Sequence, residues 1–174
     1  MVAAAVLAAG CGGGGSKGND TSSPDEWADS FCSAIGNWAD SLTGAVRSIS
    51  ETNLSEDTLK SAASDANDAN TKLKEDLQDL GKPETAGGQQ AQESIDQLTK
   101  ELDKGMDKID SAAKDVSGPQ DVSGALSTVS STLVTMGTEL QTRLREIRNA
   151  DARGELNRAI AGSSSCTSLR KQQG

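Results

Sequence analysis

The amino-acid sequence predicts an all-α protein, an antiparallel up-down-up-down four-helix bundle with a short C-terminal helix. First, apolar residues recur in four segments at alternating steps of four and three, which places them on one face of a helix. Second, glycine and proline separate the segments, and none shows the apolar-polar alternation of a half-buried strand. Third, the aromatic residues are limited to Trp27, Phe31 and Trp38, so aliphatic side chains must form the core, which favours helices packed through narrow seams.

The first helix is predicted from Pro24 to about Ser50. Ser23 is a suitable N-cap, Pro24 suits the first helical position, and acidic residues follow at the positive end of the helix dipole. Its apolar stripe consists of Trp27, Phe31, Ile35, Trp38, Leu42, Ala45 and Ile49.

The second and third helices are predicted on either side of Gly81 and Pro83, a strong helix stop. The second begins near Asn53, with Glu56 as its capping-box partner. The stripe of the second helix consists of Leu59, Ala62, Ala66, Ala69, Leu73, Leu77 and Leu80. The stripe of the third consists of Ala91, Ile95, Leu98, Leu102, Gly105, Ile109, Ala112 and Val116.

The fourth helix follows Gly118-Pro119 and is predicted to end near Ala150. A short fifth helix is predicted over 155–161, and 162–165 form a loop that leads to Cys166. The spacing also allows a long coiled coil or helical hairpin that oligomerises, although the Gly-Pro breaks favour the self-contained bundle. The stripe of the fourth helix consists of Val122, Leu126, Val129, Leu133, Met136, Leu140, Leu144 and Ile147.

This topology predicts a disulfide between Cys32 and Cys166. In an up-and-down bundle the fourth helix ends beside the start of the first, so the tail carrying Cys166 lies near Cys32. In an oxidising compartment the pair would close a loop of about 130 residues. The alternative is two buried free thiols.

The N-terminal segment resembles a bacterial lipoprotein signal at Ala8-Ala9-Gly10-Cys11. In that family, small residues before an obligatory cysteine allow cleavage by signal peptidase II, and the cysteine is then acylated. The resemblance implies that 1–10 is a signal peptide and that Cys11 is lipidated. By composition, the rest of 11–23 is a flexible Gly/Ser linker with a reach of roughly 20 Å. The bundle domain then covers 24–170. The alternative is an Ala/Gly tail with an incidental cysteine.

Composition excludes several function classes. A net charge of −9 disfavours nucleic acid as a partner, although 143–171 is locally basic. The absence of histidine rules out Ser-His-Asp and Cys-His catalysis and histidine metal sites. The number of carboxylates leaves a glycosidase-like pair open, but most of them fall off the apolar stripes and are expected on a solvated face. We therefore expect no enzyme activity, no cofactor and no metal. The bundle topology also predicts that the acidic start of the first helix lies near the arginines at the end of the fourth: Asp25, Glu26 and Asp29 near Arg143, Arg145 and Arg148.

One level of the bundle is a candidate ligand or packing site. Small residues on neighbouring helices are predicted at the height of Trp38, and two of them are mid-helix glycines that each cost roughly 1 kcal/mol relative to alanine. The residues of this level are Trp38, Ala66, Ala69, Gly105 and Gly137. Either Trp38 fills the space that the small residues leave, or the level holds a small apolar cavity for a ligand.

The whole pattern resembles small actinobacterial-type lipoproteins. The resemblance consists of the signal, the linker, the first-helix stretch EWADSFCSAI and the C-terminal stretch ELNRAIAGSSSC. It implies anchoring by lipid on the extracytoplasmic face of the cell membrane and a helical fold. For function we expect a non-enzymatic module that binds a protein or cell-envelope partner. The alternative is a carrier or sensor of a small ligand at the Trp38 level.

Overall fold

The computed structural model describes residues 21–51, 55–151 and 153–172. This part of the chain is almost entirely helical, so the predicted all-α class is confirmed. The predicted signal peptide, Cys11 and the linker up to residue 20 lie outside the described residues. The elements in chain order are β1 (Thr21–Ser22), α1 (Pro24–Glu51), α2 (Glu56–Asp79), β2 (Lys82–Pro83), α3 (Gly88–Lys114), α4 (Pro119–Ala150), α5 (Glu155–Gly162) and α6 (Ser164–Gln172).

The start of α2 differs from the prediction. Its N-cap is Ser55, whose side-chain oxygen accepts a hydrogen bond from the Thr58 amide at 3.2 Å. The Ser55 amide in turn donates to Thr58 Oγ1 at 3.0 Å, which completes a capping box. The partner is therefore Thr58 rather than Glu56, because the capping box joins the N-cap to the third helical residue.

The predicted loop over 162–165 is wrong, because a sixth helix begins there. Gly162 completes α5, and Ser163 adopts an extended conformation between the two helices. Ser163 Oγ accepts a hydrogen bond from the Cys166 amide at 3.1 Å, which is the bond of an N-cap to the third residue of a helix. Cys166 therefore lies in the first turn of α6.

The helices pack in chain order. α1 packs against α2, α2 against α3, and α3 against α4, while α5 and α6 both pack against α1. Trp27 and Phe31 stack in parallel near the start of α1, with ring centroids 5.0 Å apart. The largest fully buried side chains are those of Trp27, Phe31, Ile35, Leu59, Leu73, Leu77, Ile95, Leu98, Leu102, Ile109, Ile147 and Leu156.

Two short strands join the chain entry to the turn between α2 and α3. β1 pairs with β2 in parallel, with Thr21 opposite Lys82 and Ser22 opposite Pro83. Composition predicts Thr21 and Ser22 as part of the linker, but this pairing makes them part of the folded protein. Within the residues described, no helix combines the length and the apolar composition that a membrane span requires.

Candidate functional site

The disulfide is the covalent centre of the molecule. Cys32 of α1 and Cys166 of α6 are bonded, with their Cα atoms 4.9 Å apart. Both side chains are buried, at 5% and 3% exposure. The predicted pairing is confirmed, and the two cysteines are not free thiols. The bond spans 134 residues of sequence, so it fastens the last helix to the first.

Hydrogen bonds on either side of the disulfide hold α6 in the same register on α1. Ser163 Oγ donates to Asp29 Oδ1 at 2.8 Å, and Ser33 Oγ donates to Ser165 Oγ at 3.0 Å. The bonds from Ser163, and then those from Ser165, hold the pKa of the Asp29 carboxyl below its ordinary value. We call Asp29, Cys32, Ser163, Ser165 and Cys166 the latch.

A second polar cluster fastens the point where the chain enters the fold. Ser22 Oγ donates to the Leu80 carbonyl at 2.7 Å, and the Glu84 amide donates to the Ser22 carbonyl at 2.9 Å. Trp27 Nε1 donates to the Gly81 carbonyl at 3.1 Å. Gly81 makes the turn possible because its φ of 64° lies in the left-handed region.

Two glycines bring the end of α4 to the same place. A Cβ on Gly88 would lie 2.1 Å from the Pro83 carbonyl oxygen, and one on Gly87 would lie 2.4 Å from the Ala150 carbonyl oxygen. The close approach of these backbones therefore requires glycine at both positions. We call this region the entry end: β1, the turn 80–88 and the end of α4 at Ala150.

The predicted Trp38 level is only partly assembled. Trp38 and Ala66 are buried and Ala69 is half-buried. Gly105, however, makes room for Met136, because a Cβ there would lie 2.7 Å from both the Cγ and the Sδ of that side chain. A Cβ on Gly137 would meet no atom within 4 Å. The two glycines therefore do not form a space for Trp38. Which side chains meet depends on the rotation of each helix about its axis.

An apolar cavity lies next to this level. Its volume is about 20 Å³, which is room for about one water molecule. Trp38 does not line it. The cavity is lined by Leu42, Ala45, Val46, Leu59, Ala62, Ala63, Ala66, Ile109, Val129 and Leu133.

Among the residues that the structure describes, four buried side-chain polar atoms have no hydrogen-bond partner, and two of them lie in the core. These two are Trp38 Nε1 and Asn70 Oδ1, and Asn70 is only 3% exposed. The sequence prediction missed Asn70 because it placed Ala69 on the α2 stripe. A step of four from Ala66 and a step of three to Leu73 also select Asn70, so the spacing alone allowed both residues.

The charges at the ends of α1 and α4 are not joined as predicted. Arg143 donates to Gln97 Oε1 at 2.6 Å and to Glu146 Oε2 at 2.8 Å. Arg148 Nε donates to Asn157 Oδ1 at 3.2 Å, and Asp29 accepts from Ser163. Among the described residues no ion pair links the acidic start of α1 to these arginines, because α5 and α6 pack against α1 there.

Carboxylates are numerous on this surface, yet in the described part of the chain no group of three metal-ligating side chains could hold a metal ion.

No family model matches the chain, and no curated protein or solved structure resembles it at a significant level. The case for function therefore depends on the residues themselves.

Proposed function

We propose that the protein is a lipid-anchored, non-enzymatic interaction module on the extracytoplasmic face of a bacterial cell membrane. Cys11 is the anchor, 12–20 is the linker, and α1 to α4 form an up-down-up-down bundle that α5 and α6 complete. The observation that carries the proposal is the buried disulfide between Cys32 and Cys166.

The disulfide supports an extracytoplasmic location. Structural disulfides form and persist in oxidising compartments and are rare in the reducing cytosol. With Cys32 and Cys166 paired, Cys11 is the remaining cysteine of the sequence. Its position after Ala8-Ala9-Gly10 suits acylation, and acylation would leave the protein without a free thiol.

The polar cluster at the entry end supports a role for the N-terminal segment as a linker. A linker positions a domain only if the domain holds the end of that linker firmly. Here hydrogen bonds fix Thr21 and Ser22 against the turn after α2. This attachment determines which end of the bundle faces the membrane when Cys11 is acylated.

The pattern of helix contacts supports the bundle. The start of α1 bonds to the turn after α2 through Trp27 and Gly81, which is expected if these helices run in opposite directions. In α3 and α4, Gln97 meets Arg143 and Gly105 meets Met136, so a residue later in α3 meets one earlier in α4. These contacts favour antiparallel neighbouring helices over a long coiled coil, with α4 packed mainly on α3 and little on α1 or α2.

The outer face of α4 supports a protein partner. Residues 122–138 contain no charged side chain, whereas the other long helices carry charges along their lengths. Val134 is 71% exposed on this face. The hydroxyls of Thr128 and Thr135 donate to backbone carbonyls four residues earlier. Surfaces depleted of charge are typical of the centres of protein interfaces.

A small-ligand carrier is the alternative, and it requires a cavity of about 300 Å³ or more. The apolar cavity beside the Trp38 level has a volume of about 20 Å³, and the groove of about 540 Å³ at Gly105 is an open surface groove lined mainly by polar side chains. We therefore place the interaction module first.

Metabolic labelling with a palmitate analogue tests the anchor. We expect the label and the membrane fractionation of the native-locus protein to be lost in Cys11→Ser. The matched control is Cys32→Ser/Cys166→Ser, which removes the other two cysteines and should keep the label. A wild-type protein that carries no label, or a Cys11–Cys32 bridge found by non-reducing mass spectrometry, would contradict the proposal.

A further inference from the structure

Within the described residues, six cations of the long helices are neutralised by nearby carboxylates. Ion pairs of 2.5 to 3.0 Å lie within single helices or join neighbouring ones. Such exposed pairs add little stability, but they remove local positive charge from the surface. The pairs are Lys60 with Glu56, Lys72 with Asp76, Lys74 with Asp103, Lys104 with Glu101, Lys114 with Asp110 and Arg143 with Glu146.

Four exposed arginines differ from these six cations: two lie at the end of α4, one in the turn after it and one in α5. We call Arg145, Arg148, Arg153 and Arg158 the arginine patch. In the part of the chain that the structure describes, none of the four belongs to an ion pair. Arg148 donates through Nε to the neutral amide of Asn157.

The carboxylates nearest in sequence are largely engaged elsewhere. Glu146 accepts a hydrogen bond from Arg143 at 2.8 Å. Asp151 is buried and accepts the backbone amides of Glu155 and Asn157 at 3.1 and 2.7 Å, so its charge stabilises the start of α5. Glu155 remains as the one carboxylate beside four guanidinium groups in this stretch.

The patch lies at the entry end. α4 ends at Ala150, whose carbonyl contacts Gly87, and Gly88 contacts Pro83 of the strand that pairs with β1. The chain from Cys11 enters the fold at this same end. A linker with a reach of roughly 20 Å would keep the patch close to the surface that holds the anchor.

We propose that the arginine patch binds the anionic phosphate headgroups of the membrane in which Cys11 is anchored. The inference rests on the proposed lipid anchor, which supplies the proximity. Guanidinium groups bind phosphate oxygens through paired, charge-assisted hydrogen bonds. Basic residues close to an anionic leaflet are attracted to it, and each raises the membrane partition coefficient about fivefold.

The net charge of −9 opposes this contact mainly through the acidic residues that lie close to the entry end. Screening in physiological salt limits electrostatic interactions to about 8 to 10 Å, whereas α4, with 32 residues, is about 48 Å long. The acidic side chains at the entry end itself include Asp25, Glu26 and Glu84. The bundle therefore turns its α4–α5 side, rather than the whole end, towards the headgroups.

Vesicle sedimentation of the full chain carrying Cys11→Ser tests the patch without the anchor. We expect binding to vesicles that contain phosphatidylglycerol, little binding to pure phosphatidylcholine vesicles, and weaker binding as salt rises. Changing the four arginines to glutamine should lower the partition coefficient at least tenfold. Circular dichroism checks that each variant is folded.

The matched control changes Lys60, Lys104, Lys108 and Lys114 to glutamine, which alters the net charge equally away from the entry end. Equal losses in both variants, or binding without phosphatidylglycerol, would overturn the inference. Release by inorganic phosphate at constant ionic strength would assign the patch to free phosphate and overturn it too. Palmitate labelling of Cys11 is read separately, so failure of the anchor and failure of the patch are distinguishable.

Discussion

The two ends of the molecule are built differently. At the entry end, stacked aromatic rings, hydrogen-bonded strands and the latch hold the backbone. At the far end, where 42–46 of α1 lies against 59–66 of α2, the core consists mainly of alanine and leucine around a cavity of about 20 Å³. Leu42 is half-buried and Val46 is 44% exposed. The difference teaches that regular helical packing suffices at one end, while specific bonds determine the geometry of the other.

Removal of the disulfide should cause the largest loss, because it affects the best-fastened region. In the chain-entropy model a loop of this length contributes about 5 kcal/mol to the free energy of unfolding. We expect Cys32→Ala/Cys166→Ala, made in a Cys11→Ser background, to lower that free energy by up to this amount in urea denaturation. Reductant should destabilise the parent equally and leave the double variant unchanged. An unchanged urea midpoint in the double variant would show that the hydrogen bonds of the latch hold α6 on α1 without the covalent bond.

A pair of glycine substitutions should have opposite effects in the two regions. Gly88→Ala places a methyl group 2.1 Å from the Pro83 carbonyl oxygen, so we expect a loss of about 1 to 3 kcal/mol. Gly44→Ala in α1 meets no atom within 4 Å, so higher helix propensity should add about 0.5 to 1 kcal/mol. Thermal unfolding of both variants measures the contrast. If both substitutions raised the stability of the protein, the entry end would be able to shift and accept the methyl group.

The two tryptophans provide a further comparison of this kind. Trp27→Phe leaves the Gly81 carbonyl without its donor, whereas Trp38→Phe removes an N–H group that has no partner. We expect Trp27→Phe to cost about 1 to 2 kcal/mol more than Trp38→Phe in chemical denaturation. If Trp38→Phe were the more costly change, packing of the larger ring would outweigh the unpaired group.

A lower pH should weaken the latch, and this is the smallest of the four expected effects. The pKa of Asp29 is lowered from its ordinary value of 3.8 by the hydrogen bond from Ser163, so folding favours the ionised form. Its contribution is complete above that ordinary value and is lost as the pH falls through the lower folded pKa. The melting temperature of the wild type should therefore fall over this acidic interval relative to Asp29→Asn. Parallel pH curves for the two proteins would contradict this assignment.

The helices could be predicted because each depends on a local repeat. The stripes of α1 and α3 predicted buried side chains such as Phe31 and Leu98, since periodicity in the sequence maps directly onto one helix face. The disulfide followed from chain topology and two cysteines. The first turn of α6 was missed because Ser164, Ser165 and Thr167 in that turn, like the cap Ser163 before it, are polar and carry no apolar repeat.

The remaining features depend on contacts between distant segments. The pairing of Thr21 with Lys82 involves too few residues to show a strand pattern. The contact of Gly105 with Met136 depends on the rotation of α3 against α4. The burial of Asn70 instead of Ala69 depends on the same kind of rotation in α2. An apolar stripe identifies the face of each helix that packs inward. It does not fix the rotation of the helix about its axis to within one residue.

The latch also determines how the protein transmits force. If the proposed partner on α4 pulled against the proposed anchor at Cys11, tension would enter at Thr21, pass along α1 to Cys32, cross the sulfur–sulfur bond and reach α4 through α6 and α5. This covalent route bypasses α2 and α3. Pulling on the proposed anchor would therefore not unravel these two helices from the end of the chain, and the folded part would keep its structure under mechanical load.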